Sequence, residues 1–226
     1  MKKVLKPFKF NTMQDAGDFK KAMDGAGLPF PVDENVDILG TPVKIGNKTV
    51  PNRMCIQPLE GFDGLPDGSP SELDFRRYKR YAGGGAGMIW YESIAISEDG
   101  RCNPLQMVIR PSTVDEIKRM VDEANAVAVE KYGRRPYNVL QLTHSGRRSN
   151  DKNWKSTPLA VCENPYMDDH TSIDGSSGKI TIATDDKIEE IIRGFIDGAI
   201  LAHQAGFDAV DIKICHEYIL RELLSA

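Results

Sequence analysis

The sequence predicts an α/β fold in which about four βα units, preceded by a β-hairpin, build a parallel sheet. Three observations carry that prediction. Four short apolar runs, at 54–58, 88–91, 137–142 and 209–214, alternate with segments of helical periodicity, and strands joined by crossover-length helices pair in parallel. The runs are apolar enough to be buried on both faces, as parallel strands are. The last run releases Lys213, Cys215, His216, Glu217 and Tyr218 in six positions, and strand ends of this kind carry the active sites of α/β sheets and barrels.

Residues 1–40 have little periodicity and breakers at Gly25, Gly27, Pro29 and Pro31. They are expected to form an extension that wraps the domain, with a short helix near 15–23. Val43-Lys-Ile and Thr49-Val flank Gly46-Asn47-Lys48, the pattern of a tight hairpin. Pro51-Asn52-Arg53 leads into a first core strand at 54–58, and a glycine- and proline-rich loop follows at 61–70. Ser71 with Asp74 starts a helix that runs to about Ala82. The second strand is expected at 88–91.

Thr113 and Glu116 form a capping-box pattern for a helix ending near Gly133, with Ile117, Met120, Val121, Ala124 and Ala128 on one face. The third strand, 137–142, leads into a long polar loop at 143–184. Asp185 and Asp186 suit the first turn of the next helix. Its stripe of Ile188, Ile191, Ile192, Phe195, Ile196, Ala199 and Ile200 reads as core. Gly206 ends it, and 209–214 is the fourth strand.

The chain has 226 residues, 40% hydrophobic and 27% charged, with a mean hydropathy of -0.39, the composition of a soluble globular protein. A net charge of -4 gives no electrostatic reason to expect nucleic acid or an anionic membrane as partner. No run approaches the roughly 20 apolar residues of a membrane span, and Lys6-Pro7 interrupts any signal-peptide core. Cys55, Cys102, Cys162 and Cys215 lie far apart without a C-x-x-C pair. That spacing offers no zinc ribbon or disulfide framework and fits a reduced cytoplasm. Cys55 and Cys162 read as small buried hydrophobes.

Gly83-Gly84-Gly85-Ala86-Gly87 follows a helix and precedes a strand. A dinucleotide fingerprint has the opposite order, so these glycines are expected to serve packing. Function should collect in the loops after the strands: Leu59, Glu60 and Phe62; Glu92 and Ser93; Thr143, His144 and Arg147; Lys213, His216 and Tyr218. Plainer roles compete. Lys213 could pair with Asp211, His144 could cap its loop, Arg147 could bridge a carboxylate, and Trp90 could pack the sheet. His170 and His203 read as surface residues. A metal-assisted enzyme using Glu60, Glu92, His144 and His216 as ligands is the rival chemistry.

Several segments, taken in order, resemble one family. They are Val50-Pro-Asn-Arg-Met, Gln57-Pro-Leu, Arg80-Tyr-Ala-Gly-Gly-Gly-Ala-Gly-Met-Ile, Gln141-Leu-Thr-His-Ser-Gly-Arg147, and Ala205-Gly-Phe-Asp-Ala-Val-Asp-Ile with His216 and Tyr218. Together they resemble the Old Yellow Enzyme (NADH:flavin oxidoreductase) family of FMN-containing (β/α)8 barrels. The resemblance covers roughly residues 41–226 and implies the N-terminal half of such a barrel, a partial TIM barrel behind an extension at 1–40. It implies FMN as cofactor, NAD(P)H as electron donor, and a small-molecule substrate with a polarised alkene. Gln57, Pro58, Leu59, Ser93 and Gln141 would meet the flavin, and Phe62 and His144 would line the substrate site. His216, with Lys213 at the position of its usual partner, would hold a substrate carbonyl. Tyr218 would donate the proton.

The pattern departs from the family at Lys213, where a histidine is usual, and at Glu60 and Phe62, where some members carry cysteine and tyrosine. The Lys213 charge could favour a carboxylated substrate. A complete barrel takes roughly 250 residues and builds its phosphate site after the last strands. Four strands leave an open edge, so the chain alone is expected to bind FMN poorly or not at all. A separate C-terminal half, or a second copy of the chain, could complete it.

Overall fold

The structure, a computed structural model, describes residues 12–33, 35–164, 166–168 and 179–225. Residues up to Thr41 and residues from Pro42 form two compact units. In the first, helix α1 (Ala16–Gly25) opens on Asp15, whose carboxylate accepts the Asp18 N–H. None of its residues is buried, and Phe19 meets Phe30 edge to face. His170 lies outside the described residues.

In the second unit, β1 (Val43–Ile45) and β2 (Lys48–Val50) form the expected antiparallel hairpin. The centre is a four-stranded parallel sheet in the order β3 (Cys55–Ile56), β4 (Met88–Ala95), β5 (Tyr137–Thr143) and β8 (Ala209–Ile212). Helices α2 (Glu72–Gly83), α3 (Val114–Tyr132) and α4 (Asp185–Gln204) connect successive strands. Inside the 143–184 loop, β6 (Leu159–Ala160) pairs with β7 (Thr181–Ile182). Helix α5 (Ile219–Ser225) follows β8.

The capping box expected at Ser71 is present: Ser71 Oγ accepts the Leu73 N–H, and Asp74 accepts the Ser71 N–H. The one expected at Thr113 is not. Thr113 has helical dihedrals, and its hydroxyl donates instead to the Val108 carbonyl at 2.6 Å. Glu116 pairs with Arg119. Gly133 takes the left-handed C-cap conformation, φ 67°, which glycine adopts without steric cost.

Strand lengths differ from the sequence reading. The β4 strand continues past Tyr91 to Ala95, through a register shift at Glu92, because β5 offers partners as far as Thr143. Polar Glu92 and Ser93 had marked a loop in the sequence; a bulge accommodates them in the strand. The β8 strand ends at Ile212, paired with Leu142, and the Lys213 N–H still reaches the Leu142 carbonyl.

The core lies between one face of the sheet and the helices, with Tyr78, Ile89, Tyr91, Met120, Leu140 and Leu142 fully enclosed. The glycine run packs as expected. A Cβ on Gly87 would lie 2.5 Å from the Asn52 carbonyl, and the Asn52 side chain bonds the Gly85 carbonyl and the Gly87 N–H. The isoleucine stripe of α4 is only half core. Ile191, Phe195 and Ala202 are buried, whereas Ile192, Ile196 and Ile200 are exposed. Among the described residues this helix packs on β5, β8 and α3 with one face, and the other half of the stripe lies outside that contact. Cys55 is half-buried and Cys162 exposed, against the expectation that both are buried. His203 is exposed, as expected.

Candidate active site

Successive side chains of a strand point to opposite faces. Ile89, Ile94, Leu140 and Leu142 belong to the helix-side core, so Trp90, Ser93, Gln141 and Thr143 face the other way. The register places Ser93 beside Gln141 and Gln141 beside Asp211, one row across three strands. The bulge at Glu92 is what keeps Ser93 in that row.

Lys213, one pleat beyond Asp211, is 7% exposed. Its ammonium reaches back across β5 to donate to Ser93 Oγ at 3.2 Å and lies 4.9 Å from the centre of the Tyr218 ring. The competing pairing with Asp211 is absent, because Asp211 accepts from Gln141 Nε2 at 2.7 Å. Tyr218 is buried. Burial first, then the neighbouring Cys102 and Glu60, hold its hydroxyl well above the usual tyrosine range. It is a protonated phenol at any working pH.

Glu60 closes the group. Its Oε1 accepts from the Cys102 thiol at 3.0 Å and from Asn103 Nδ2 at 3.3 Å. Burial raises the Glu60 carboxyl above its ordinary value. Burial and the adjacent Glu60 push the Cys102 thiol up to about 12, so it remains a donor.

Other expected residues sit at the margin. Gln57, Leu59 and Phe62 are exposed and Pro58 is partly covered. Phe62 has a left-handed backbone, φ 53°. His216 and Glu217 are consecutive left-handed residues, φ 59° and 58°, a conformation that costs a non-glycine residue free energy. His216 is exposed; its Nδ1 lies 2.9 Å from Cys215 Sγ and its ring centre 5.9 Å from that of Tyr218. Glu217 is tied to Arg148.

His144 is buried, with Nδ1 accepting the Gly146 N–H at 3.1 Å. Burial lowers its pKa to about 4, so the ring is neutral and caps its loop. Arg147 is buried between Glu222, Asp168 and the Cys162 carbonyl, the carboxylate bridge the sequence allowed.

The four ligands of the metal reading are not together. Glu92 instead meets Arg77 at 2.6 Å, the Tyr78 hydroxyl at 3.1 Å and the Gly61 N–H at 3.3 Å. Arg77 also holds Asp74 and Asp63. Burial and the charge of Asp74 raise the Glu92 pKa to about 8. Among the described residues, no three His, Cys, Asp or Glu side chains are placed to hold a metal ion.

Cys102 and Asn103 were missed in the sequence. A signal existed: the connection from β4 to α3 is far longer than the few residues usual between a strand and its helix, and long loops above a sheet carry function. One cleft among the described residues lies away from this group. About 540 Å³ lies between β6, β7 and the start of α4, with Ser156, Thr181, Thr184 and Lys187 in its wall. None of Ser93, Gln141, Lys213 and Tyr218 lines it. No helix among the described residues is long and apolar enough to cross a membrane.

The chain is 28% identical over 184 residues to the NADPH dehydrogenase of Listeria monocytogenes serotype 4a (strain HCC23), covering 81% of this chain and 48% of the relative. It is 27% identical to the NADPH dehydrogenase of Bacillus pumilus, over 83% of this chain and 51% of the relative. The chain thus spans about half the length of the curated relatives it matches. Morphinone reductase in complex with tetrahydroNAD shares the fold, with a TM-score of 0.65 at 23% identity, over 80% of this chain and 50% of that one. The old yellow enzyme from Trypanosoma cruzi matches with a TM-score of 0.64 at 25% identity, over 81% and 52%. The four βα units are therefore a partial (β/α)8 barrel. The model of the NADH:flavin oxidoreductase / NADH oxidase family matches residues 39–226, and the chain belongs to that family.

Proposed function

We propose that the chain contributes one wall of an FMN-dependent NAD(P)H oxidoreductase of the ene-reductase type. The observation that carries this is the row Ser93–Gln141–Asp211 with Lys213 and Tyr218 at its end, on the sheet face that the helices leave uncovered. Trp90 Nε1 and Thr143 Oγ1, on that face, are two of the eleven buried side-chain polar atoms without a hydrogen-bond partner among the described residues. Buried polar groups are otherwise almost always paired, and a flat heteroaromatic ring edged with donors and acceptors would serve both. Gln57, Pro58, Leu59, Ser93 and Gln141 would hold the flavin. When bound, FMN supplies the hydride that adds to the β-carbon of a polarised alkene.

The chain's own residues do the rest. Tyr218, kept protonated by its burial, holds the proton for the α-carbon. Lys213, with His216 at the margin, offers positive charge and donors where a substrate oxygen becomes negative. Phe62 would border the substrate. His144 works through the loop it caps, being enclosed itself. The cysteines are free thiols, which suits a reduced cytoplasm.

The two tryptophans give a direct test. Trp90 lies on the proposed flavin face, and Trp154 is 52% exposed on the loop beyond β5. FMN titrated to millimolar concentration into ¹⁵N-labelled chain should move the Trp90 indole resonance and leave Trp154 in place. If Trp154 alone moves, this face does not take the flavin; if neither moves, the half-barrel does not hold FMN by itself, as its open edge allows.

A further inference from the structure

Among the described residues, the buried or half-buried arginines in ion pairs contrast with one lysine. Arg77 meets Asp63, Asp74 and Glu92, Arg101 meets Glu98, and Arg147 meets Glu222 and Asp168. Lys213 is as enclosed as these, yet its hydrogen-bond partner is the neutral Ser93 hydroxyl and its other neighbour a ring face. Among the described residues, no carboxylate lies within 4.0 Å of its ammonium. A lysine is almost never buried unpaired, because desolvating an ammonium is costly without a compensating charge. Glu60 attracts it through space, but the acceptor Oε1 of Glu60 is already engaged by Cys102 and Asn103. Two of the three ammonium donors are left over.

We propose that Lys213 is an anion anchor, and that this site takes a small unsaturated acid by its carboxylate. The flavoenzyme reading supplies the reaction that such an acid would undergo; the binding step stands on Lys213 alone. The charge count selects the class. One buried cation beside a hydroxyl suits a monovalent carboxylate, whereas a phosphate dianion would face Glu60 with its second charge uncompensated. A neutral ketone or amide would leave the ammonium with Glu60, held off by Cys102 and Asn103, as its one counter-charge. Ion pairing also draws electron density from a conjugated carboxylate, and so polarises an alkene that is otherwise poorly activated.

Trans-cinnamate and trans-cinnamamide share a shape and differ in charge at pH 7, so they serve as probes. Calorimetric titration into the 226-residue chain should show the acid binding about tenfold tighter than the amide, as a charge-assisted hydrogen bond exceeds a neutral one. Lys213→Met should bring the two within about twofold, and Lys213→Arg should keep most of the preference. Glu60→Gln should tighten the acid and leave the amide unchanged. Circular dichroism confirms that each variant is folded, and Lys213→Gln replaces Lys213→Met should the latter fail. Equal binding of acid and amide, a preference that survives in folded Lys213→Met, or no binding of either up to millimolar concentration overturns the proposal. The Trp90 titration reports separately on the flavin, so the anion site and the flavoenzyme reading can fail independently.

Discussion

Two buried polar clusters flank the same strand, β4, and they are wired in opposite ways. On the helix side, one guanidinium, Arg77, is shared by Asp63, Asp74 and Glu92, with Tyr78 and the Gly61 backbone taking the remaining bonds. On the open face, one ammonium, Lys213, has a hydroxyl and a ring. The first cluster surrounds its cation with three carboxyl groups and ties the loop carrying Glu60 and Phe62 to α2. The second has less counter-charge than it needs and faces the side where a ligand would lie. The difference separates a network that holds the fold from a site that expects an occupant.

The largest test of this contrast removes the structural cation. Arg77→Met leaves the carboxyl groups of Asp63, Asp74 and Glu92 around a half-buried gap, and loss of one partner from a buried ionic group costs about 3 kcal/mol at the lower end of its range. Urea unfolding should show a loss of that size, and one under about 1 kcal/mol would mean the cluster holds little.

A pH series sharpens the comparison next. His144 is held near 4 in the fold against about 6.5 in the unfolded chain, so the unfolded state binds the extra proton between those values. Stability from this group is full above about 6.5 and is lost as pH falls toward 4, by about 3 kcal/mol. Glu92, raised to about 8, has the opposite sign: its contribution is full below its unfolded value of about 4.3 and fades as pH rises toward 8. The two slopes oppose each other where their windows overlap. The stability difference between wild type and His144→Gln isolates the histidine and should change steadily between pH 6.5 and 4. A constant difference would show that His144 is not held neutral.

The smallest effect belongs to the other cluster. Lys213→Met removes an unpaired buried charge and keeps the length of the side chain, so urea unfolding should show no loss beyond about 1 kcal/mol, and a gain is compatible with the physics. A loss above about 2 kcal/mol would make Lys213 a structural residue and erase the contrast.

Much of this was legible in the residues themselves. The order of strands and helices followed from period and punctuation: Ser71 with Asp74 at one helix start, Gly133 at a helix end, and glycines before β4 in the wrong order for a nucleotide loop. Those signals are local, and local sterics and hydrogen bonding enforce them. The candidate residues Ser93, Gln141, Lys213 and Tyr218 were also legible, from strand-end position and from the family resemblance.

What the sequence could not decide was which partner each polar group takes. Asp211 chose Gln141 over Lys213 because the register of β5 and β8 sets them side by side, while Lys213 continued one pleat further toward Ser93. Glu92 was diverted to Arg77 by a single bulge, and Cys102 with Asn103 reached Glu60 across 42 and 43 positions of chain. Ile192, Ile196 and Ile200 carry the right period for core and still face outward, because burial depends on what lies beneath a helix. Periodicity and turn chemistry are properties of neighbours along the chain. Pairing, burial and the unsatisfied charge of Lys213 are properties of neighbours in space, and only the packed sheet assigns those.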